Sequence, residues 1–406
     1  MRNSKGRFIT GGLWQLPKAG RLKRRLAQLP AWLSGSAHQR LGKGVQDNRG
    51  MHTVISHAAA PGPRCRTASA ALQLPHLQAL LRQAGAQTLH TGSSDTLTPL
   101  AEQLASGQAY ADGLVPWAAW LAQGSGLYQD GQHWALISPC HLQIHSDHVA
   151  MQDPALLQLG EDESRTLLAA MQPYFEEDGI QLHWHSAHTW LAQGPVFQSL
   201  ASASLARVRG LPTDPWIPRQ SAAQSLRRLQ NEMQMLLYTH AVNDARGGRG
   251  QAPVNGFWMS GTGSPLADDA LPHDAANPLL KNPVPNGAPN PLSIVAAPRI
   301  TASPMQALLA PTHASLGPTN PHTLYIDALS ASALRDDPQA WVQTWQALDA
   351  QVFAPLAAQQ ASGPAISISL CGELRARTWV SGRASLWQRI KQPFAAPGLH
   401  PLVHDL

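Results

Sequence analysis

The densest group of side chains that could do chemistry lies in CHLQIHSDH, residues Cys140–His148. On an extended strand, His141, His145 and Asp147 would share one face. Imidazole nitrogens and carboxylate oxygens are ligands for zinc or manganese. Because neighbours on a strand point in parallel, a four-coordinate site would need a further ligand, such as a histidine of LHWHSAH. The sequence leaves two alternatives open, a metal site and a polar strand face.

A second candidate is a nucleophile in the glycine-led turn HTGSSDTLTP, His90–Pro99. The Ser94 hydroxyl could attack a phosphate or acyl group there, because backbone N–H groups at a helix start stabilise negative charge. The alternative is purely structural, with Ser94 or Asp95 capping a helix that runs from Thr98 onward.

A third group follows a long amphipathic helix predicted from about Ala222 to His240. After it, Asn243 and Arg246 could bind a phosphate or carboxylate, or could cap the helix end and pair with a neighbouring acid. The next strand, GFWMSGTG, contains Trp258, which we group with them as a substrate-binding candidate. The segment lacks the third glycine and the distant acid of a dinucleotide-binding fingerprint. Its glycines therefore indicate tight backbone geometry and not a nucleotide site.

Charge is distributed unevenly along the chain. Residues 1–50 contain eleven Lys and Arg against one acid, whereas the other 356 residues carry a balance of −5. We expect the basic stretch to be a loose extension or to precede a true start at Met51, which makes nucleic-acid binding a minor alternative. The stretch has no apolar secretory core, and no run approaches the ~20 apolar residues of a membrane span. Three scattered cysteines indicate a reducing, cytoplasmic location.

The elements that must position these groups alternate between strands and helices at both ends of the chain. HTVISH, TLYIDALSAS and AISISLCGELRARTWVS predict strands, and LPHLQALLRQAG and DPQAWVQTWQALDAQVFAPLAAQQ predict helices. This pattern predicts an α/β fold, with a core sheet flanked by helices and an inserted α/β domain. We assign residues 51–135 and 251–406 to the core and 136–250 to the insertion. Twelve prolines within residues 265–321 predict a loop.

The order of these motifs resembles that of archaeal-type, cofactor-independent phosphoglycerate mutases of the alkaline phosphatase superfamily. LLYTHAVNDARGGRGQAPVNGFWMSGTG resembles the stretch in which a helix reaches an Asn and Arg turn and then a Trp strand. LPHLQALLRQAG resembles the family's early helix, and GSSDTL stands where the family carries its phosphorylated serine. From Met51 onward the chain also resembles a narrower bacterial group, the RpfE-type regulatory proteins.

The departures from the mutase pattern concern its two metal ions, which Asp and His side chains hold at strand ends. The first strand of the family ends in Asp-Gly, whereas this chain has His57 and Ala58. A late strand should be followed by Asp-His-Gly, but Cys371, Gly372 and Glu373 stand there. The loop after the strand ending at Asp327 lacks the expected histidine. Two-metal phosphoryl transfer needs such ligands to neutralise the migrating phosphate.

The resemblance therefore implies a regulatory or ligand-binding protein on a degenerate mutase-like scaffold, without mutase activity and with no cofactor. It would bind an anionic or phosphorylated small molecule through Arg246 and the glycine loops. The alternative is a phosphoglycerate mutase or phosphatase with Ser94 as nucleophile and manganese or another divalent metal in a rearranged site. The groups that could hold the metal are His57, His145, Asp147, His148, Asp327 and Glu373.

Overall fold

The computed structural model describes residues 51–107, 110–265, 323–360, 365–381 and 406. Two predictions therefore lie outside the described residues. They are the basic extension of residues 1–50 and the proline-rich loop of residues 265–321 beyond Pro265.

A five-stranded mixed sheet forms the larger layer of the fold. Its strands are β1 (Met51–Ile55), β2 (Ala84–Thr91), β9 (Thr323–Ile326), β10 (Ile366–Cys371) and β11 (Arg375–Ser381). Their order across the sheet is β2-β11-β10-β1-β9. β1 runs parallel to both β9 and β10, whereas β11 pairs antiparallel with β10 and β2. The carboxyl ends of β1, β9 and β10 therefore meet at one edge of this sheet.

Helices cover both faces of the larger sheet, as the periodicity of the sequence predicts. On one face, Leu77 and Trp341 belong to a buried cluster with strand residues such as Ile368. On the other face, Leu104 and Trp120 pack in a cluster with Val54, Cys371 and others. The predicted α/β class, with a core sheet flanked by helices, is confirmed. The helices that supply these clusters are α1 (Pro63–Ala68), α2 (Pro75–Arg82), α3 (Leu100–Ala105), α4 (Trp117–Gly124), α9 (Ser330–Leu334), α10 (Pro338–Leu348) and α11 (Ala354–Gln360).

A second, four-stranded sheet is formed by the middle of the chain. Its order is β6-β7-β3-β8, with β3 (Trp134–Cys140), β6 (Gln181–Ser186), β7 (Thr189–Gln193) and β8 (Gly256–Ser260). A two-stranded ladder, β4 (Leu142–Ile144) with β5 (Val149–Met151), lies beside it in sequence. The helices of this region are α5 (Glu161–Glu177), α6 (Leu205–Val208), α7 (Gln224–Tyr238) and α8 (Ala241–Gly248). The second sheet is therefore built within residues 134–260, and the insertion of residues 136–250 stays a prediction.

Three local expectations differ from the structure. β8, the strand of Trp258, pairs with β3 in the second sheet, although we expected it to re-enter the core. Ser138 and Pro139 lie inside β3, although proline is uncommon within a strand, and Pro139 is in register with Phe257. β2 was not predicted, because this strand is largely exposed and its sequence lacks an apolar alternation.

The glycines of GFWMSGTG serve tight packing, as expected. Gly261 has φ +68°, and a Cβ on Gly263 would stand 1.7 Å from the carbonyl oxygen of Leu114. A side chain at Gly263 would force the backbone apart, because real Cβ atoms do not approach that closely. At Gly261 the positive φ itself disfavours a side chain. The segment therefore holds the end of β8 against the chain that leads into α4.

The described residues contain no helix that is both long enough and apolar enough to cross a membrane. Cys65, Cys140 and Cys371 are all buried as free thiols.

Candidate functional site

Three of the expected residues lie at the carboxyl edge of the larger sheet. His57 follows β1, Asp327 follows β9 directly, and Glu373 lies two residues beyond β10. The Nδ1 atom of His57 is 3.5 Å from Oδ1 of Asp327. In open α/β sheets, ligands bind outside the carboxyl ends of parallel strands. We therefore take this edge as the candidate functional site.

His57 has a backbone conformation that few residues other than glycine adopt. Its φ is +54°, and the Ser56 hydroxyl is 2.6 Å from its Nδ1 atom. A non-glycine residue in the left-handed region costs conformational energy, and such residues cluster at functional sites. The turn after β1 directs the imidazole toward Asp327.

Asp327 forms a buried ion pair with Arg209. The Nη2 atom of Arg209 is 3.0 Å from Oδ2 of Asp327, and the two residues are 1% and 8% exposed. The Ser330 hydroxyl is 3.1 Å from the same oxygen. Burial alone would lower the pKa of Arg209, but the charges of Asp327 and Asp153 outweigh it and raise that pKa. The carboxylate at the end of β9 is thus neutralised by a protein cation.

Arg209 belongs to a run of chain, residues 202–213, that crosses this edge and that we call the strap. Ser202 and Ser204 donate backbone hydrogen bonds of 3.0 Å to the carbonyl oxygens of Gly113 and Leu97. Farther along, Gly210 donates to the carbonyl oxygen of Met151 at 2.8 Å, next to a bridge between Met151 and Arg209. The strap is therefore fixed at both ends, and its arginines are aimed by backbone contacts.

Arg207, also on the strap, is a buried cation for which the described residues supply no ion-pair partner. It is 6% exposed, and its Nη2 atom donates to the Thr96 hydroxyl at 3.2 Å and to the Ser93 carbonyl oxygen at 3.4 Å. Within the described residues, no carboxylate lies within 4.0 Å of its guanidinium, and its Nε atom has no hydrogen-bond partner. Burial lowers the pKa of Arg207, an effect that Glu373 and other acids oppose.

Glu102 is a buried carboxyl group beneath the strap. It accepts hydrogen bonds from Nε1 of Trp117 at 3.0 Å and from the Ser204 hydroxyl. Burial raises the pKa of Glu102 to about 7, and the two hydrogen bonds only partly oppose that shift. Its charge therefore changes within the physiological pH range.

Ser94 lies at the same edge, and among the described residues no histidine, lysine or arginine bonds to its hydroxyl. The adjoining Gly92 donates to the carbonyl oxygen of Leu374 at 2.8 Å, which places the turn beside the end of β10. Ser94 is exposed and donates to Asp95 Oδ1 at 3.1 Å. The capping alternative is wrong, because α3 begins at Leu100 after Pro99 and no side chain caps it.

Asn243 and Arg246 lie in the middle of the chain, and their polar atoms bond within the protein. Arg246 is fully buried, pairs with Glu163 Oε2 at 2.7 Å and donates to the carbonyl oxygens of Ala252 and Leu157. The Asn243 amide donates to the carbonyl oxygens of Leu237 and Val254 and accepts from the Val254 amide. The structure thus shows the contacts expected of the structural alternative.

Trp258 is also engaged within the protein. Its Nε1 atom donates to the carbonyl oxygen of Ala203 at 3.0 Å, and the residue is buried. This hydrogen bond therefore connects Trp258 to the first residues of the strap.

The histidine-rich segment differs from the expected continuous strand. His145 and His148 stand at the turn between β4 and β5, where the His145 amide donates to the His148 carbonyl oxygen at 2.9 Å. Their rings stack at 4.6 Å, and His148 Nδ1 is 2.7 Å from Asp147 Oδ1. The expected common face of His141, His145 and Asp147 is wrong, because the chain reverses. In the described part of the chain, no three His, Cys, Asp or Glu side chains are grouped to hold a metal ion.

The donor set at the carboxyl edge does not fit the two metal ions that the mutase resemblance implies. Asp327 is bonded to a guanidinium, and the thiol of Cys371 is buried with a raised pKa. A divalent cation beside Asp327 would stand next to the fixed positive charge of Arg209, and like charges in a buried site repel strongly.

The residues that sequence reasoning missed are Glu102, Arg207 and Arg209. One signal was present in LARVRG, where two arginines alternate with apolar residues and the nearest acid in sequence is Asp214. Arginine in an apolar context usually has a partner elsewhere in the fold, because an unpaired buried charge is costly.

Comparisons with known proteins show similarity to several solved structures, two of which are described below. No protein-family model and no curated protein matches the sequence. The cofactor-independent phosphoglycerate mutase from Thermoplasma acidophilum DSM 1728 is 13% identical with a TM-score of 0.34, over 88% of this chain and 99% of that chain. The PH0037 protein from Pyrococcus horikoshii is 11% identical with a TM-score of 0.43, over 82% and 87%. At these values the likeness carries no conclusion about activity.

Proposed function

We propose that this protein binds a small anionic molecule at the carboxyl edge of its larger sheet. It would act as a ligand-binding or regulatory protein and not as a metal-dependent phosphoglycerate mutase. The observation that carries the proposal is the buried guanidinium of Arg207, which has no carboxylate within 4.0 Å among the described residues. A buried cation is costly unless an anion compensates it. A ligand anion at Arg207 would supply that compensation.

The side chains around Arg207 narrow the class of ligand. Asp112 is engaged, because it accepts hydrogen bonds from the amides of Leu97 and Thr98 at 2.9 and 2.8 Å. Asp95 and Glu373 are exposed acids whose charges act on Arg207. Exposed carboxylates accept hydrogen bonds from hydroxyl or ammonium groups. The site therefore suits a molecule with one phosphate or carboxylate for Arg207 and hydroxyl groups for the surrounding acids, such as a phosphorylated hydroxy acid.

The ion pair of Arg209 with Asp327 supports binding over metal-dependent transfer. Phosphoryl transfer with two metals requires carboxylate and imidazole ligands that are free to coordinate. Here the Asp327 carboxylate has a guanidinium at 3.0 Å. The Ser94 hydroxyl is exposed and donates to Asp95, whereas a serine nucleophile needs a general base or a metal ion to activate it.

Calorimetric titration of the full chain with 3-phosphoglycerate and with inorganic phosphate tests the proposal. We expect saturable binding of 3-phosphoglycerate that Arg207→Ala weakens at least tenfold and that Arg207→Lys partly retains, because lysine keeps the charge but loses the planar fork. Arg219→Ala, at an exposed arginine beyond the strap, should bind as the wild type does. Equal affinity of Arg207→Ala and wild type, or no binding of either probe, would refute the proposal.

A mutase and phosphatase assay with and without Mn²⁺ separates binding from catalysis. We expect no turnover in wild type or in Ser94→Ala. Manganese-dependent turnover that disappears in Ser94→Ala would establish the alternative enzyme, with His57 and Asp327 among its ligands, and would contradict the non-catalytic part of the proposal.

A further inference from the structure

Arg209 joins two distant parts of the chain at the carboxyl edge. Its backbone pairs with Met151 at the end of β5, and its guanidinium reaches Asp327, which lies 118 residues farther along the chain. Arg209 and Asp327 are 1% and 8% exposed, so solvent screens the interaction between their charges only weakly. The contact is therefore a strong electrostatic connection between the strap and the larger sheet.

The groups near this guanidinium include residue types that can bind a metal. Asp327 bonds to it directly, and the charge of Asp153, which is also buried, raises its pKa. His57 lies 3.5 Å from the other oxygen of Asp327. At the end of β9 a carboxylate with an imidazole beside it thus bonds to a side-chain cation, where a divalent cation would otherwise supply the positive charge.

We infer that the Arg209 guanidinium takes the place of a divalent cation at the carboxyl edge, neutralising Asp327 and Asp153 and fixing the strap without any metal. Arginine suits this role because it stays charged at every accessible pH and because its donors are held in one plane. The wild-type chain then has no use for a metal at this position. Removal of the guanidinium takes away the cation that bonds to Asp327, and an added divalent cation can then supply that charge.

The test compares divalent-cation dependence in wild type, Arg209→Ala and the control Arg246→Ala. The control also removes a buried arginine, but one that pairs with Glu163 away from the edge. Thermal unfolding is followed after EDTA treatment and after addition of Mn²⁺, and bound manganese is counted by elemental analysis. We expect neither EDTA nor Mn²⁺ to change the unfolding temperature of the wild type. We expect Arg209→Ala to unfold at a lower temperature, to regain stability with Mn²⁺, and to bind one manganese ion that Arg209→Ala/Asp327→Asn does not bind.

Other outcomes would overturn the inference. One is a wild-type chain that binds manganese in a manner abolished by Asp327→Asn. Another is an Arg209→Ala chain whose recovery with Mn²⁺ is no larger than that of Arg246→Ala. If Arg209→Ala does not fold on expression, it is refolded from urea with and without Mn²⁺. Recovery only with Mn²⁺ supports the inference, and failure in both cases contradicts it.

Discussion

Ser204 on the strap donates a hydrogen bond to the buried carboxyl group of Glu102 on α3. The same carboxyl group accepts a hydrogen bond from Trp117 on α4. One acid therefore connects the strap to two helices that cover the larger sheet. Because its pKa lies at about 7, the protonation state of this connection depends on pH.

The first prediction concerns the pH dependence of stability. The folded pKa of Glu102 lies above its ordinary value of 4.5, so the native state binds more protons than the unfolded state between these values. The free energy of unfolding should therefore fall as pH rises from about 4.5 through about 7, by about 3 kcal/mol. Glu102→Gln should flatten this part of the profile in urea unfolding measured across the range. Glu177→Gln, at an exposed acid, should keep the wild-type slope, and an equally steep profile in Glu102→Gln would contradict the assignment.

The second prediction concerns Arg246, which the sequence suggested as a ligand contact. Arg246→Ala leaves Glu163 and two carbonyl oxygens without their partner, and should lower the free energy of unfolding by about 3–5 kcal/mol. Arg249→Ala is the matched control, because Arg249 is half-exposed and bonds to the same glutamate. It should cost about 1 kcal/mol or less. Urea unfolding measures both variants. Similar losses in their free energies of unfolding would show that burial does not decide how much each arginine contributes to stability.

The third prediction concerns the close approach at Gly263. Gly263→Ala should destabilise the protein by about 1–3 kcal/mol or more, because its Cβ would collide with the Leu114 carbonyl oxygen. Gly247→Ala on α8 meets nothing within 4 Å and should raise stability by up to about 1 kcal/mol. Thermal unfolding of the two variants should therefore shift in opposite directions. A neutral Gly263→Ala would mean that the backbone relaxes without cost.

The fourth prediction concerns Ser94. Its hydroxyl is exposed and, in the part of the chain that the structure describes, bonds only to the neighbouring Asp95. Ser94→Ala should therefore change the free energy of unfolding by less than about 0.5 kcal/mol. Thr98→Ala provides the contrast, since the buried Thr98 hydroxyl accepts from the Gly113 amide at 2.8 Å and its loss should cost about 1–3 kcal/mol. A large loss in Ser94→Ala would reveal a structural role for the exposed turn.

Local periodicity by itself determined most elements of the fold. The apolar stripe of Leu226, Leu229 and Met233 predicted α7, and the Asp337-Pro338 start of α10 was readable because Asp337 caps it by accepting from the Ala340 amide. These signals are local, because the apolar residues that a helix buries recur every three or four positions in the sequence. β2 was not predicted, because an exposed edge strand needs no regular pattern of apolar residues.

Only part of the site could be predicted from the sequence. His57, Asp327 and Glu373 could be assigned to strand ends, because a strand and the residue after it are neighbours in sequence. Arg207, Arg209 and Glu102 could not, because their positions depend on how the strap crosses the sheet. The tertiary structure alone decided that a guanidinium, supplied 118 residues away, would neutralise Asp327, since the pairing of two buried charges depends on distance in space and leaves no periodic trace in the chain.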